Sequence, residues 1–498
     1  MATMKKAGTA LVIGAGLGGL SAALELASRG WRVQVLDQRS GPGGKAFTER
    51  LGAYRFDTGP SLLTLLPVFD ELFARTGVER EDYFRVQHLE EITRYFWPDG
   101  STLRSYSSAE KLADSFSRAG IARPEEIFAY LRHSRKIYEA STPLFLYETL
   151  NPRSFWRRPR LWPQLFKILK LDTSRTLHEV HQAFFRDSRA RQFFDRYATY
   201  NGSNPYEAPG TLALIAHVEY GLGAWAPEGG IYSIPLAMEK RAREMGVEFY
   251  YSCAAEHLSP PVKERDLWIA ETSRGSFEAD VLFSNIDPHG CHDLLGTPRD
   301  ARRYNVEDSR LSSSALVFYW GVQNTYPQMG LHNIFFGADY PGEFRSIFQA
   351  GEVPDDPTIY VNITAKYVKS DAPEGSENWF VLMNAPPRGD QDWNDLVPSV
   401  RERVIASLER RLDRDIGRYI QEESWLTPPM IEDLTGSYRG ALYGPSSNHW
   451  KSAFLRHPNK SPLHRHLYFC GGSAHPGGGM PLVVLSGRLA VKELERSW

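Results

Sequence analysis

A glycine-rich turn between a short apolar strand and a helix constrains this chain more than any other feature. Residues 9–13 (TALVI) predict a buried parallel strand, and GAGLGG follows directly at positions 14–19. A helix is predicted over 20–28, and a second strand, over 32–36, ends at Asp37. A GxGxxG turn in this strand–turn–helix setting, with an acidic residue shortly after it, predicts a Rossmann-type dinucleotide-binding unit.

Four residues of this unit have distinct predicted tasks. Gly14 permits the tight turn, Gly16 lets the backbone approach a pyrophosphate, and Gly19 allows the helix to pack closely on the strand. The free N–H groups and the positive dipole at the helix N-terminus favour the phosphates. Asp37 is predicted to accept hydrogen bonds from both ribose hydroxyls, which disfavours the 2′-phosphate of NADP.

A second glycine-rich loop favours FAD over NAD as the ligand. Gly43, Gly44 and Lys45 follow the second strand closely, and Arg39 adds another cation. An NAD site needs no second loop of this kind, whereas the pyrophosphate and ribityl chain of a flavin extend past the first turn. The alternative interpretation is an ordinary turn in solvent.

The last forty residues predict a second ligand-facing loop. An apolar strand over 467–470 leads into the glycine-dense segment 471–481, and a closing helix is predicted over 482–495. Free N–H groups at the start of that helix suit an anionic or dipolar ligand, such as the pyrimidine side of a reduced flavin. The predicted binding residues of this segment are Gly472, Ser473, Gly479, Met480 and Pro481. His475, next to a proline, is better interpreted as a residue that shapes the loop than as a catalytic one.

These motifs resemble the carotenoid/phytoene desaturases, which belong to the amine-oxidase-like flavoproteins. The resemblance covers essentially the whole chain and includes FDTGPS at 56–61 and HPGGGMP at 475–481. Within the family, YATYNGSNPY at 197–206, SSSALVFYWG at 312–321 and AFLRHPN at 453–459 look most like the 1-hydroxycarotenoid 3,4-desaturase branch.

The resemblance implies an FAD-dependent oxidoreductase of carotenoid biosynthesis. A hydride passes to the flavin, a neighbouring carbon loses a proton, and oxygen or a quinone is the final electron acceptor. It also implies that Gly59, Pro60 and Ser61 contact the cofactor and that the backbone of Ala255 meets the adenine. Many relatives carry an acid after the late glycine, where this chain has Ser473.

No residue is predicted to be a catalytic base, because a polyene delocalises positive charge and the cofactor performs the difficult step. Tyr443 and His475 are candidates only for a position near the flavin. The alternatives within the enzymes are a phytoene desaturase, a carotenoid isomerase and a polyene oxygenase. A further alternative, from another class, is a lipid escort protein of the same fold without redox chemistry.

The predicted fold class is α/β, with a Rossmann-type FAD-binding domain, a mixed-sheet substrate domain and a helical membrane-associating region. The FAD-binding domain is discontinuous and is predicted over residues 1–70, 230–290 and 460–498. The substrate domain is predicted over 71–118 and 291–459, and the helical region over 119–229.

The helical region contains a basic, aromatic and amphipathic stretch. Between 151 and 171 there are six cations and no acid, interleaved with Phe155, Trp156, Trp162 and Phe166. This pattern is typical of a helix that lies in a membrane interface, although a helix packed on its own domain remains the alternative. The predicted location is therefore cytoplasmic and peripheral on the inner face of the cell membrane.

Charge and cysteine content narrow the remaining partner classes. The net charge of −2 gives no overall attraction to nucleic acid. The three cysteines form no CxxC pair, so a zinc site or a disulfide framework is not expected, and a reducing compartment fits. The predicted partners are a carotenoid and a membrane surface, with no nucleic acid and no metal.

Overall fold

The computed structural model of the protein describes residues 8–149, 172, 174–263, 266–302, 310–387, 391–448 and 456–498. Two large sheets organise this part of the chain, one parallel with five strands and one mixed with seven. A three-stranded antiparallel sheet and two strand pairs complete the described β-structure. The α/β class predicted from the sequence is confirmed.

The parallel sheet is built around the predicted first strand. Its strand order is β19-β13-β1-β2-β9, and these strands span Leu467–Phe469, Val281–Ser284, Thr9–Ile13, Arg32–Leu36 and Glu248–Tyr250. Ala10 and Val12 of β1 belong to one hydrophobic core, and Leu11 and Ile13 belong to another. Because successive side chains of a strand point to opposite faces, this alternation shows that both faces of β1 are covered.

Three helices cover one face of the parallel sheet: α1 (Leu17–Ala27), α8 (Ser233–Glu244) and α13 (Met480–Glu495). Helix α1 begins three residues earlier than predicted, because the glycine turn itself supplies its N-terminal turn with Gly16 as the N-cap. Helices α1 and α13 cross at close range, since a Cβ atom at position 487 would lie 2.4 Å from the carbonyl oxygen of Gly18. The Ser21 hydroxyl also donates to the carbonyl of Val484 at 2.7 Å.

A three-stranded antiparallel sheet covers the opposite face. Its strands are β10 (Ala255–Ser259), β11 (Trp268–Thr272) and β12 (Gly275–Ala279). Trp268 is fully buried in the core that β11 shares with Leu11 and Ile13 of the parallel sheet. Strand β9 of the parallel sheet is short and ends at Tyr250, before the chain enters β10.

The mixed sheet forms the second half of the molecule. Its order is β18-β14-β17-β16-β15-β6-β7, spanning Ile420–Leu426, Ser314–Val322, Glu377–Ala385, Ile359–Asn362, His332–Phe335, Glu91–Phe96 and Thr102–Tyr106. All nine residues of β14 are buried. Helix α11 (Trp393–Leu412) packs on the sheet through Val397, Val400, Val404 and Leu408.

Residues 109–220 are mainly helical in the part that the structure describes. They are α3 (Ala109–Arg118), α4 (Pro124–Phe145), α5 (Leu177–Phe184), α6 (Ser188–Asp195) and α7 (Leu214–Tyr220). The basic stretch over 151–171, which is predicted to lie on a membrane, falls outside the described residues. No helix in the described part of the chain has the length and hydropathy needed to cross a bilayer.

Four further α-helices and two strand pairs complete the α-helices and β-strands of the described residues. The helices are α2 (Pro67–Arg75), α9 (Pro288–Leu294), α10 (Tyr340–Arg345) and α12 (Pro428–Thr435). The pairs are β3 (Thr48–Leu51) with β4 (Tyr54–Asp57), and β5 (Val86–His88) with β8 (Trp225–Pro227).

Candidate functional site

A cavity of about 640 Å³ lies between the carboxyl edge of the parallel sheet and the mixed sheet. The loops that follow β1, β2, β13 and β19 all contribute to its lining, which is where parallel α/β sheets bind nucleotides. Twelve of the predicted binding residues line this cavity: Gly16, Gly43, Gly44, Lys45, Gly59, Pro60, Ser61, Gly472, Ser473, Gly479, Met480 and Pro481.

Gly14, Gly19 and Asp37 lie behind the cavity wall and shape the first glycine turn. Gly14 has a φ of +96°, a backbone conformation that residues with a Cβ atom rarely adopt. The Asp37 carboxylate accepts hydrogen bonds from the N–H of Ala15 at 2.7 Å and of Arg39 at 2.8 Å. Burial raises the pKa of Asp37, while these two backbone donors oppose the shift. Asp37 thus joins the first glycine turn to the start of the second loop.

The two glycine loops are in direct contact with each other. The N–H of Gly43 donates to the carbonyl of Ala15 at 2.9 Å, and the Arg39 guanidinium donates to the carbonyl of Gly44 at 2.9 Å. Lys45 donates to the carbonyl of Leu442 at 2.6 Å. Burial lowers the pKa of Lys45 to about 8, and the nearby carboxylate of Asp287 partly offsets this effect. A buried amine with so little compensating negative charge fits a place where an anion is expected to bind.

Asn285 is a site residue that the sequence analysis did not identify. It follows β13, and its side-chain amide packs against the first glycine turn and against Gly471 of the C-terminal loop. A Cβ atom at position 16 would lie 2.6 Å from the Asn285 Nδ2, and one at position 18 would lie 2.5 Å from its Oδ1. The protein neighbour Asn285 therefore requires glycine at both positions.

Asp287 supplies a carboxylate close to the position where many relatives have an acid. Its Oδ2 accepts a hydrogen bond from the Ser473 hydroxyl at 2.6 Å, and its Oδ1 accepts the N–H of His289 at the start of α9. Asp287 lines the cavity beside Ser473. The signal for both Asn285 and Asp287 was present in the sequence, since polar residues directly after a parallel strand lie at the ligand-binding edge.

Two helix N-termini open onto the cavity, and in the part of the chain that the structure describes neither has a side-chain cap. Helix α1 starts after Gly16, and α13 starts after Gly479, which has a φ of +100° and open space where a Cβ atom would lie. Arg456 adds a buried cation, and burial lowers the pKa of its guanidinium to about 10. Uncapped N–H groups, buried cations and glycine surfaces without side chains fit the pyrophosphate and ring system of FAD.

Three further candidates occupy different places. Ala255 does not line the cavity, but two residues before it the N–H of Cys253 donates to the carbonyl of Asp37 at 2.9 Å. The Nε2 of His475 donates to the carbonyl of Glu148 at 2.9 Å, and burial lowers the pKa of this imidazole to about 4. Tyr443 lines the cavity, and burial raises the pKa of its phenol to about 12. Near neutral pH both side chains are uncharged, with His475 engaged in holding its loop.

The part of the cavity wall that faces away from the glycine loops is largely apolar. The mixed sheet contributes Val317, Ile334, Phe380, Leu382 and Leu426, and the helical segment contributes Leu212, Leu214, Ile215 and Val218. Set into this wall are the buried side chains of Arg196, Glu219 and His332 and the partly buried side chain of Tyr360. A cradle for a dinucleotide thus continues without interruption into a water-excluding apolar chamber, where a long apolar molecule can lie against the cofactor.

The amino-acid sequence is similar to those of known oxidoreductases. The sequence profile of a family described as flavin containing amine oxidoreductase matches residues 17–308. The chain is 37% identical to a 1-hydroxycarotenoid 3,4-desaturase from a Flavobacterium species, with 98% of each chain covered. It is 32% identical to a 4,4′-diapolycopene oxygenase from a Methylomonas species, with 96% of each covered.

A solved structure shares the fold at lower sequence similarity. An oxidoreductase from Methanosarcina mazei is 15% identical to this chain and matches it with a TM-score of 0.64. The match covers 97% of this chain and 100% of the other. The architecture described above is therefore found in a distant protein over its whole length.

Proposed function

Since the chain belongs to the flavin-containing amine oxidoreductases, and among them to the carotenoid desaturase family, we propose that it desaturates the 3,4 bond of a 1-hydroxycarotenoid. The predicted dependence on FAD and the predicted oxidoreductase class are confirmed by that membership. The choice of carotenoid and of bond is the proposal.

The observation that carries the proposal is the continuity of the cavity. One wall presents backbone N–H groups and cations, including Lys45 and Arg456, and the opposite wall is apolar from Val317 on β14 to Leu426 on β18. A carotenoid is a long hydrocarbon that is insoluble in water, so it needs a chamber of this second kind. The similarity to a desaturase along 98% of both chains supports the same substrate class.

The residues of the chamber have the task of positioning the polyene and excluding water. Bound FAD supplies the hydride-accepting chemistry. Removal of the hydride would leave positive charge that conjugation spreads along the chain, and the adjacent carbon would then lose its proton to solvent. The described cavity wall suits this reaction because Tyr443 and His475 are both neutral near pH 7 and add no competing charge.

Product analysis tests the proposal directly. Purified protein loaded with FAD receives a 1-hydroxycarotenoid in liposomes, with phytoene and unhydroxylated carotenes in parallel. We expect the mass of the hydroxycarotenoid to fall by two hydrogens and its absorption to move to longer wavelength. Phytoene as the preferred substrate, or a product of unchanged mass, would overturn the proposal in favour of a phytoene desaturase or an isomerase.

A polyene oxygenase is the second candidate, and the similarity to the diapolycopene oxygenase favours it among the alternatives. That outcome appears in the same experiment as a product that gains an oxygen atom at a terminal carbon. A non-redox escort protein would retain no flavin and would leave every carotenoid unchanged.

We also propose a peripheral position on the cytoplasmic face of the membrane, with oxygen or a quinone as the electron acceptor. The support is chemical, because the substrate dissolves in the bilayer and the stretch 151–171 combines cations with aromatic residues. Reoxidation of the reduced enzyme under anaerobic conditions, with and without a soluble quinone, distinguishes the two acceptors.

Charge reversal tests the membrane position. Glutamate at Arg157, Arg158, Lys167 and Lys170 should weaken sedimentation with anionic liposomes and lower turnover of liposomal carotenoid, with a smaller loss in detergent. The matched control reverses four exposed cations elsewhere, Lys263, Arg274, Arg299 and Arg410. Unchanged liposome binding in the first variant, with flavin retained, would contradict the membrane position.

A further inference from the structure

The apolar chamber contains a cluster of polar side chains that a hydrocarbon alone does not require. We call it the buried polar cluster and define it as Arg196, Glu219, His332, Tyr340 and Tyr360, all of which line the cavity. A polar group in an apolar wall carries a desolvation cost unless it is hydrogen-bonded. In this cluster three atoms, the Arg196 Nε, the His332 Nε2 and the Tyr340 hydroxyl, are buried without a partner among the described residues.

The protonation of His332 follows from its neighbours. The Nδ2 of Asn362 donates to the carbonyl of Leu331 at 3.0 Å, and because a carbonyl only accepts, this contact fixes the orientation of the amide. The same Nδ2 lies 3.1 Å from the Nδ1 of His332, so Nδ1 accepts. Burial and the charge of Arg196 lower the pKa of His332 to about 3. The neutral ring therefore carries its hydrogen on Nε2, as a donor at the cavity wall.

Arg196 presents a second free donor, while its charge is already balanced. Its guanidinium donates to the hydroxyls of Tyr95 at 2.6 Å and Tyr200 at 3.0 Å. The carboxylate of Glu219 lies 3.9 Å from the Arg196 Nη2 and accepts the hydroxyls of Tyr197 and Tyr200. The guanidinium is held in place by these contacts, and the Nε–H remains for another acceptor.

The charges of the cluster indicate which chemical group can accept hydrogen bonds from the free donors of Arg196 and His332. Arg196 and Glu219 balance each other and His332 is neutral, so a carboxylate or phosphate would bring an uncompensated buried charge. An ammonium group would face two N–H donors and a guanidinium, and it would be repelled. A neutral oxygen that accepts hydrogen bonds, such as a hydroxyl or an ether oxygen, satisfies both donors without either penalty.

The cluster lies next to the loops that are predicted to hold the flavin. The Tyr360 hydroxyl lies 2.7 Å from the His332 Nδ1 and 2.5 Å from the Oγ of Ser61. Ser61 belongs to the loop whose Gly59 packs against the backbone of Lys45, because a Cβ atom there would lie 2.0 Å from the Lys45 carbonyl oxygen. An oxygen bound by His332 would thus be held close to the cofactor. In a 1-hydroxycarotenoid the 3,4 bond begins two carbons from the hydroxylated carbon, which suits that proximity.

We propose that Arg196 and His332 form an anchoring site for a neutral oxygen on the end group of the polyene, which sets the bond that faces the cofactor. The inference rests on the proposed function and deepens it. The two N–H groups donate hydrogen bonds to the substrate oxygen, and the apolar wall holds the hydrocarbon behind it.

The variant His332→Leu tests the anchoring site by removing one of its two donors. The measured quantity is the ratio of kcat/KM for a 1-hydroxycarotenoid over the same carotenoid without the hydroxyl. We expect this ratio to be about tenfold or more in the wild type and to fall to about threefold or less in His332→Leu. His332→Gln, which keeps an N–H donor, should recover part of the ratio, and the exposed His88→Leu should leave it unchanged.

A substrate series tests the anchor without any variant, in case His332→Leu does not fold. The wild type receives end groups with a hydroxyl, a methoxy oxygen or hydrogen, and carotenoid binding is measured by absorption as well as by turnover. Because the free groups of Arg196 and His332 are both donors, the methoxy compound should bind within about threefold of the hydroxyl compound, and the hydrogen compound about tenfold more weakly.

The outcomes separate the two proposals. Equal binding of all three end groups, or an unchanged ratio in a folded His332→Leu that retains its flavin, would overturn the anchor while leaving the desaturase intact. Absence of turnover on every carotenoid would instead refute the proposed function, even if the binding series showed the expected preference.

Discussion

The two walls of the cavity are built on different principles. The cofactor wall consists of short glycine-rich stretches, 14–19, 43–45 and 471–481, which present backbone groups and two uncapped helix N-termini. The chamber wall consists of side chains from strands and helices that are distant in sequence, such as Arg196, His332 and Tyr360. Backbone geometry tolerates little change, whereas side chains can be exchanged one at a time. We therefore expect substitutions on the first wall to weaken binding of the cofactor. Substitutions on the second wall should change only how the carotenoid is bound and converted.

The largest expected effect is that of Gly16→Asp. The new Cβ atom would lie 2.6 Å from the Asn285 Nδ2, and the carboxylate would compete with phosphate at the start of α1. We expect FAD affinity to fall by more than about 100-fold, which corresponds to about 3 kcal/mol. The flavin-to-protein ratio after purification measures the loss, and Ser273→Asp, at an exposed residue of the turn between β11 and β12, is the control. Full flavin occupancy in Gly16→Asp would refute the assignment of this turn.

Asp37→Ala should have the next largest effect. The N–H groups of Ala15 and Arg39 would lose their acceptor, and each unsatisfied buried donor costs about 1–3 kcal/mol. FAD affinity should fall roughly ten- to a hundredfold in a fluorescence titration, without any requirement for NADPH. Asp37→Asn keeps an acceptor oxygen and should lose less. Turnover that depended on added NADPH would contradict the flavin mechanism.

Val317→Phe tests the chamber wall. Val317 lies between Leu382 and Leu426 in the mixed sheet, and all three line the cavity. The larger ring should reduce kcat/KM for the carotenoid about tenfold, while the flavin content stays that of the wild type. Val317→Ile, which adds a single methylene group, is the matched control. A parallel loss of flavin would show that the two walls are not independent.

The smallest expected effect concerns the pH dependence of cofactor binding through Lys45. Its pKa is lowered from 10.5 to about 8, so its positive charge is lost as the pH rises through about 8. We expect FAD affinity to fall about fivefold between pH 7 and pH 9.5, in titrations at constant ionic strength. Lys45→Met should remove this dependence, and the exposed Lys369→Met should retain it.

The lowered pKa of Lys45 has the opposite effect on the stability of the protein without FAD, which should increase as the pH rises. Between pH 8 and pH 10.5 the unfolded chain binds a proton at Lys45 that the folded chain does not, so stability should rise with pH in this window. Thermal unfolding of the flavin-free protein, compared with Lys45→Met, measures this contribution. A fall in stability that is specific to the wild type would contradict the lowered pKa.

Much of the cofactor wall could be predicted from the sequence because its features are local. The strands over 9–13 and 32–36 are present as predicted, and the glycine loops 43–45 and 471–481 reach one cavity. The start of α1 was placed three residues late, since a glycine-rich turn has no apolar periodicity to mark a helix. The interfacial helix over 151–171 stays a prediction.

The amino-acid sequence by itself determined the nucleotide-binding turn, the second glycine loop and the C-terminal return, because each depends on backbone conformations that only nearby glycines allow. The tertiary structure decided which carboxylate lies beside Ser473, because the parallel strand order brings Asp287 to that edge from 186 residues away. It also decided that Arg196 and His332 share one chamber and that two of their donors lack partners among the described residues. Neither fact has a local signature, since strand order and burial arise only when distant segments pack together.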